Sequence, residues 1–345
     1  VLHLSFDSTI PEYTNNLEAA GFDLYDEKTL GLHEIIATID NAAKDNRIKG
    51  IFMEVDALMT GGNASAAELR QALVDFHNEG KFILSYSKYY TQGAYYVASV
   101  ADELYVHPLG IIDFRGFSAQ IPFYKNMLDK VGVKMQVFYA GQFKSATEPF
   151  RRTDMSPQNR FQVRQYLNGM YDNFLEDISQ SRSIEVPELK RIANDFLASD
   201  PHKAVEHKMV DVAGYRDEAL ASLRDRLGLE KDEKIRFISL ENYNKANPPS
   251  LGDYSSERIA VVYAEGSIVD GPGSNGSIGD KRYNKVFNSI RKDDRIKAVV
   301  LRVNSPGGSA LSAENMHREI SRLKATGKPI VVSMGDYAAS AGYYI

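Results

Sequence analysis

The chain has 345 residues and a formal net charge of −5, a length suited to two domains or one large duplicated unit with a substantial core, and a charge that gives no reason to expect nucleic acid as a partner. It has no cysteine, which excludes disulfides, thiolate metal sites and a cysteine nucleophile and fits an oxidising compartment where stray thiols are a hazard. No run of about 18 apolar residues marks a transmembrane helix, and no signal peptide is visible.

In chain order, residues 1–6 read as a strand, and Leu32, Ile35, Ile36 and Ile39 mark the apolar stripe of a following helix. A strand over 50–55, a turn at Gly61-Gly62, a helix, a strand over 82–85 and a new helix at Tyr95-Tyr96 complete the unit. Strands alternating with helices predict a parallel sheet with right-handed crossovers. Residues 134–139 read as one more strand, leading into the stretch that holds Lys144. Ser156-Pro157 has the form of an N-cap followed by proline at the first helical position. The helix after it carries Val163, Leu167, Met170, Phe174 and Ile178 on one side, and further helices open at Pro187, Pro201 and Tyr215. The paired prolines Pro248-Pro249 can neither continue a helix nor enter a central strand. They set the expected division: an N-terminal domain over 1–246, a linker over 247–257 and a C-terminal domain over 258–345.

The unit then recurs. Residues 259–263 match the first strand, Val286, Phe287 and Ile290 the helix stripe, and residues 298–303 the second strand. Gly307-Gly308, a strand over 330–333 and Tyr343-Tyr344 follow. The same offset separates Arg47 from Arg295 and Tyr95 from Tyr343. In that register Ser340 stands opposite Gln92, so one copy is armed and the other blank. The chain opens inside a strand-like run and stops inside the repeated unit, which reads as a piece of a longer protein, with room for a membrane anchor ahead of Val1.

Two elements of the second copy suggest chemistry. Asn304-Ser305-Pro306-Gly307-Gly308-Ser309 follows a buried strand and opens a helix, so backbone N–H groups can face a developing oxyanion; taken alone it is also a plain strand-to-helix turn. In Gly335-Asp336-Tyr337-Ala338-Ala339-Ser340-Ala341-Gly342, small residues crowd one serine after a strand, as a nucleophile on a sharp turn requires. Both follow successive parallel strands and reach the same sheet edge, where ligands bind in open α/β folds. Asp336 and Tyr337 are expected to line the substrate side. A serine needs a base. His317 reads as solvent-facing or locally satisfied, His107 as structural, and the other histidines show no pattern. A lysine, with an ordinary pKa of about 10.4, serves only if burial or nearby positive charge lowers it, and Lys144 sits between Phe143 and the small pair Ser145-Ala146, where burial is conceivable.

The stretch Phe143-Lys144-Ser145-Ala146-Thr147-Glu148-Pro149-Phe150 with Asp154-Met155-Ser156-Pro157, the Val303–Ser309 stretch, and Ser333-Met334-Gly335 with Ala338-Ala339-Ser340 together resemble the bacterial signal peptide peptidase A (protease IV) family in its long, tandem-domain form. The resemblance implies an α/β fold of tandem duplicated crotonase/Clp-protease-like βαβ domains with parallel sheets and an intervening helical segment. It implies Lys144 as general base and Ser340 as nucleophile, a variant of the triad logic. It also implies the backbone N–H groups of Gly308 and Ala341 as oxyanion donors, although many relatives carry glycine where this chain has Ala341. No metal or organic cofactor is called for. The implied partners are hydrophobic peptides, namely cleaved signal peptides, and copies of the same chain in a bowl-shaped tetramer with an apolar interior. The implied location is the bacterial inner membrane, through an N-terminal anchor, with the catalytic part on the extracytoplasmic side. Two rivals stand beside this reading: a crotonase-like acyl-CoA enzyme, which uses the same oxyanion hole without a nucleophile, and a non-catalytic scaffold that traps apolar peptides.

Overall fold

In the first copy the apolar runs are buried on both faces, as a parallel sheet covered by helices requires. The computed structural model describes residues 1–6, 9–13, 30–58, 60–248 and 256–345. The first copy comprises β1 (Leu2–Leu4), α1 (Leu32–Lys44), β2 (Gly50–Glu54), α2 (Asn63–Asn78), β3 (Phe82–Tyr90), α3 (Gln92–Ala98) and β4 (Glu103–Ile112). A largely helical segment follows: α4 (Lys125–Lys130), α5 (Glu148–Arg151), α6 (Pro157–Arg182), α7 (Val186–Asn194), α8 (Pro201–Glu206), β5 (Val212–Ala213), α9 (Arg216–Leu227), β6 (Ile238–Ser239) and α10 (Leu240–Ala246). The six strands form one all-parallel sheet in the order β5-β4-β3-β2-β1-β6, with Leu2 opposite Ile51 and Ile51 opposite Ile83. Leu69, Leu73 and Phe76 of α2 pack in the core on one face, while Ala219 and Leu223 of α9 cover Phe52 and Leu84 on the other.

The second copy comprises β7 (Arg258–Glu265), β8 (Ser267–Val269), β9 (Ser277–Gly279), α11 (Asp280–Lys292), β10 (Ile296–Ser305), α12 (Ala310–Lys324), β11 (Ile330–Ala338) and α13 (Ala341–Tyr344). Its main sheet, β11-β10-β7, is also parallel, with a core of its own around Phe287, Leu301, Val303 and Met316. β8 and β9 form a separate parallel pair.

The duplication extends to single hydrogen bonds. Lys81 Nζ donates to the carbonyls of Ala42 and Asp45 at the end of α1, at 2.6 and 2.7 Å. Lys328 Nζ does the same for Ile290 and Asp293 at the end of α11, at 2.7 Å each. Both lysines satisfy carbonyls that a helix C-terminus leaves free. Arg47 pairs with Asp45 and Arg295 with Asp293 in the same way.

Some sequence expectations need correction. Residues 133–140 form no regular element. They take no place in the six-stranded sheet, and Phe138 is left 84% exposed. Val286, read as part of a buried stripe, is exposed, while Phe287 and Ile290 are buried. His107 lies within β4, and its Nδ1 accepts from the Leu109 N–H at 3.1 Å. The proposed linker falls mostly on residues 249–255, outside the described residues; the elements flanking it are α10 and β7. No helix among the described residues is long and apolar enough to cross a membrane.

Candidate active site

Strand β11 ends in a backbone that an ordinary residue rarely adopts. Ser340 has φ 53° and ψ −124°, whereas Ser183 and Phe196, also at positive φ, lie in the common left-handed helical region. A conformation this sparsely populated costs about 1–3 kcal/mol and persists only where neighbours over-determine it. Ser305 supplies much of that constraint. It is fully buried; its carbonyl accepts from the Ala339 N–H at 3.0 Å, and its hydroxyl donates to the Gly266 carbonyl at 2.7 Å while accepting from the Gly307 N–H at 3.1 Å. The backbone also crowds in: a Cβ on Gly342 would lie 2.7 Å from the Ser305 carbonyl oxygen, so α13 can start only with glycine there. Sequence reasoning took Ser305 as part of a turn motif and missed this role; its position one step before Pro306 was the available signal.

The glycine turn meets the serine. A Cβ on Gly307 would lie 2.8 Å from Ser340 Cβ and 2.9 Å from the Ala341 nitrogen. Ile268 of β8 clamps the turn, its N–H donating to the Gly307 carbonyl at 2.9 Å and its carbonyl accepting from the Ser309 N–H at 2.9 Å. Gly308 is pinned between these bonds at φ 155°, where a Cβ would stand 2.1 Å from the Ile268 oxygen. Its N–H has no acceptor among the described residues and neither does that of Ala341 in the first turn of α13. The Ser340 hydroxyl is exposed and makes no hydrogen bond to a described residue. Ser309 caps α12 by accepting from the Ser312 N–H at 3.2 Å, so a helix N-terminus backs the turn. Such an arrangement can hold an oxyanion beside an unencumbered hydroxyl.

Asp280 braces this loop system. Its carboxylate accepts from the Gly271 N–H at 2.8 Å and from Asn315 Nδ2 at 3.0 Å. Burial pushes its carboxyl up, but these hydrogen bonds and Lys281 outweigh it and hold it below the usual range.

In the first copy the corresponding position is closed. Gln92 lies inside α3, its side-chain oxygen accepts from the Arg115 N–H at 2.9 Å, and Thr91 caps the helix with ordinary extended angles. Lys144 lies on an exposed turn ahead of a single helical turn over Ser145–Thr147, rather than buried. A network that sequence reasoning did not anticipate fixes this turn. Glu148, 1% exposed, accepts from the Ser156 N–H at 3.1 Å and Asn159 Nδ2 at 2.9 Å, and Gln162 donates to Ser145 Oγ at 2.7 Å. Burial raises the Glu148 carboxyl, yet hydrogen bonds from Ser156 and Asn159 and the charge of Arg151 prevail and hold it below the usual carboxylate range. No hydrogen bond joins Lys144 to Ser340 in this single chain. The His317 ring packs at a tilt against Tyr344, ring centroids 5.2 Å apart. Asp336, expected on the substrate side, turns its carboxylate into the first copy and accepts from Ser65. Tyr337 is exposed, its N–H donating to Asn304 Oδ1 at 3.0 Å.

A family model described as peptidase family S49 matches residues 75–230, which include Lys144 but stop short of the Ser340 elbow. The match and the names of the relatives below support a protease of the signal peptide peptidase A kind, and the mixed α/β fold with parallel sheets is consistent with a Clp-protease-like fold. It is similar to "Protease 4" of Salmonella typhi, 35% identical over 348 residues, 97% of this chain and 56% of that protein. "Protease 4" of Haemophilus influenzae is 33% identical over 330 residues, 92% of this chain and 53% of that protein. "Serine protease SPPA, chloroplastic" of Arabidopsis thaliana is 32% identical over 322 residues, covering 92% and 47%. The chain thus spans about half the length of the curated relatives it matches.

Proposed function

We propose that this chain is the core of a serine endopeptidase that cleaves hydrophobic signal-peptide remnants at a bacterial membrane, with Ser340 as nucleophile and Lys144 as general base. The observation that carries the reading is the positive-φ serine, set against two backbone N–H groups, with neither its hydroxyl nor those groups bonded to a described residue. The names of the relatives support the same class.

The chemistry balances without a cofactor. The uncharged Lys144 amine accepts the Ser340 proton as Oγ bonds to the scissile carbonyl carbon, and the carbonyl π electrons move onto oxygen. The Gly308 and Ala341 N–H groups hold that oxyanion, each worth about 10²–10³ in rate. The resulting ammonium gives its proton to the leaving amine as the C–N bond breaks. Water, deprotonated by the same amine, then attacks the acyl ester and releases Ser340. The reading includes a tetramer that brings Lys144 to Ser340, apolar peptides as its occupants, and an anchor ahead of Val1 that keeps the catalytic part on the extracytoplasmic side of the inner membrane.

Ser340→Ala and Lys144→Ala, purified separately, should each lose at least 99% of the hydrolysis of an apolar reporter peptide. Wild-type-like turnover by either variant rejects the mechanism, and peptide binding without cleavage by the wild type favours the scaffold reading.

A further inference from the structure

The first copy also has a glycine turn before a helix, and it is filled. The Asp336 carboxylate from β11 of the second copy accepts from the Ser65 N–H at 3.0 Å and the Ser65 hydroxyl at 2.6 Å, in the first turn of α2. Ser65 is 3% exposed. A Cβ on Gly61 would lie 2.6 Å from an Asp336 oxygen, and one on Gly62 2.8 Å from the carboxyl carbon. The backbone at Gly62, φ 174°, would accept any residue, so what its glycine provides is room for the carboxylate. In the second copy the matching Gly307-Gly308 turn faces Ser340 instead.

A second grip lies one helical turn along α2. Arg302 on β10, 6% exposed, donates through Nη1 to Glu68 Oε1 at 2.6 Å and to Ser333 Oγ at 2.9 Å, while its Nε pairs with Glu12. Ser65 and Glu68 stand three apart and share a face of the helix. Helix α2 is therefore held by β10 and β11 together, and Asp336 stands four residues before Ser340 on the same strand-to-elbow segment.

We infer that Asp336 is a positioning residue: its carboxylate occupies the glycine turn of the blank copy, closes that turn to any other anion, and ties the segment that ends in the Ser340 elbow to the copy that carries Lys144. The catalytic consequence rests on the peptidase reading; the positioning itself does not. The blank copy has thus exchanged a ligand turn for a receptor that registers one repeat on the other.

The test uses the full chain and hydrogen–deuterium exchange read by mass spectrometry, with peptidase kinetics well below the melting temperature. Asp336→Ala should speed exchange over 336–342 at least tenfold with the core strand β2 unchanged. Gly62→Ala, which expels the carboxylate without changing a residue of β11, should do the same, and near-isosteric Asp336→Asn should fall between. If the wild type cleaves peptide, kcat should fall at least tenfold in Asp336→Ala with KM within twofold, with partial recovery in Asp336→Asn. Unchanged exchange over 336–342 in both Asp336→Ala and Gly62→Ala overturns the inference, as does acceleration spread evenly over the chain. A wild type that cleaves nothing removes the peptidase reading instead, and the exchange result still decides the positioning role.

Discussion

A side chain at φ 53° and ψ −124° is a local cost that Ser340 retains because Ser305, Gly307 and Gly342 leave the backbone no other course. Glycine tolerates that region freely, and alanine shares the serine's steric problem. Ser340→Gly should therefore be more stable than Ser340→Ala by about 1 kcal/mol in urea denaturation, while both are inactive. Equal stability of the two would mean that the elbow is relaxed. The crowding of small residues around Ser340 was readable in the sequence because substrate and backbone must approach closely there. The sign of φ was not, since it is fixed largely by Ser305 and Gly307, residues distant along the chain whose contacts with the elbow carry no local signature. The contact of Asp336 with Ser65 was missed for the same reason: nothing near it in sequence announces Ser65.

At the scale of elements, β1, β2 and β3 in the first copy and β7, β10 and β11 in the second, with the helices between them, followed from periodicity, because a parallel sheet buried between helices demands continuous apolar runs, while β4, β8 and β9 were not read. Residues 134–139 show where that logic fails. Alternation makes a strand only where a neighbouring strand pairs with it, and residues 134–139 take no place in the sheet order β5-β4-β3-β2-β1-β6. The turn that carries Lys144 is instead held by side chains around Glu148. Glu148→Ala leaves the Ser156 and Asn159 donors unpaired and should cost about 1–3 kcal/mol at pH 7. The folded-state carboxyl is depressed, so its contribution is present above an unfolded pKa of about 4.3 and is lost as pH falls through the folded value. The gap between wild type and Glu148→Ala in denaturant melts should accordingly shrink between pH 7 and pH 3. A gap that widens on acidification would show that the carboxylate is not favoured in the folded state.

Across the whole molecule, duplication supplies two equivalent scaffolds, and their divergence supplies a division of labour. The lysine clips, Asp-Arg pairs and sheet order are kept, while the serine elbow exists once and the other glycine turn receives Asp336. This asymmetry was legible as Ser340 against Gln92; the cross-repeat grip on α2 was not, because it joins residues from opposite ends of the chain. The account stands or falls on an amine from the first repeat activating an alcohol from the second within the assembled protein. The most direct test is the rate at which a fluorophosphonate labels the assembled chain, with the modified residue located by mass spectrometry. The account expects wild type to be modified at Ser340 alone and Lys144→Ala at least a hundredfold more slowly; equal rates in the two proteins, or label on a different serine, would contradict it.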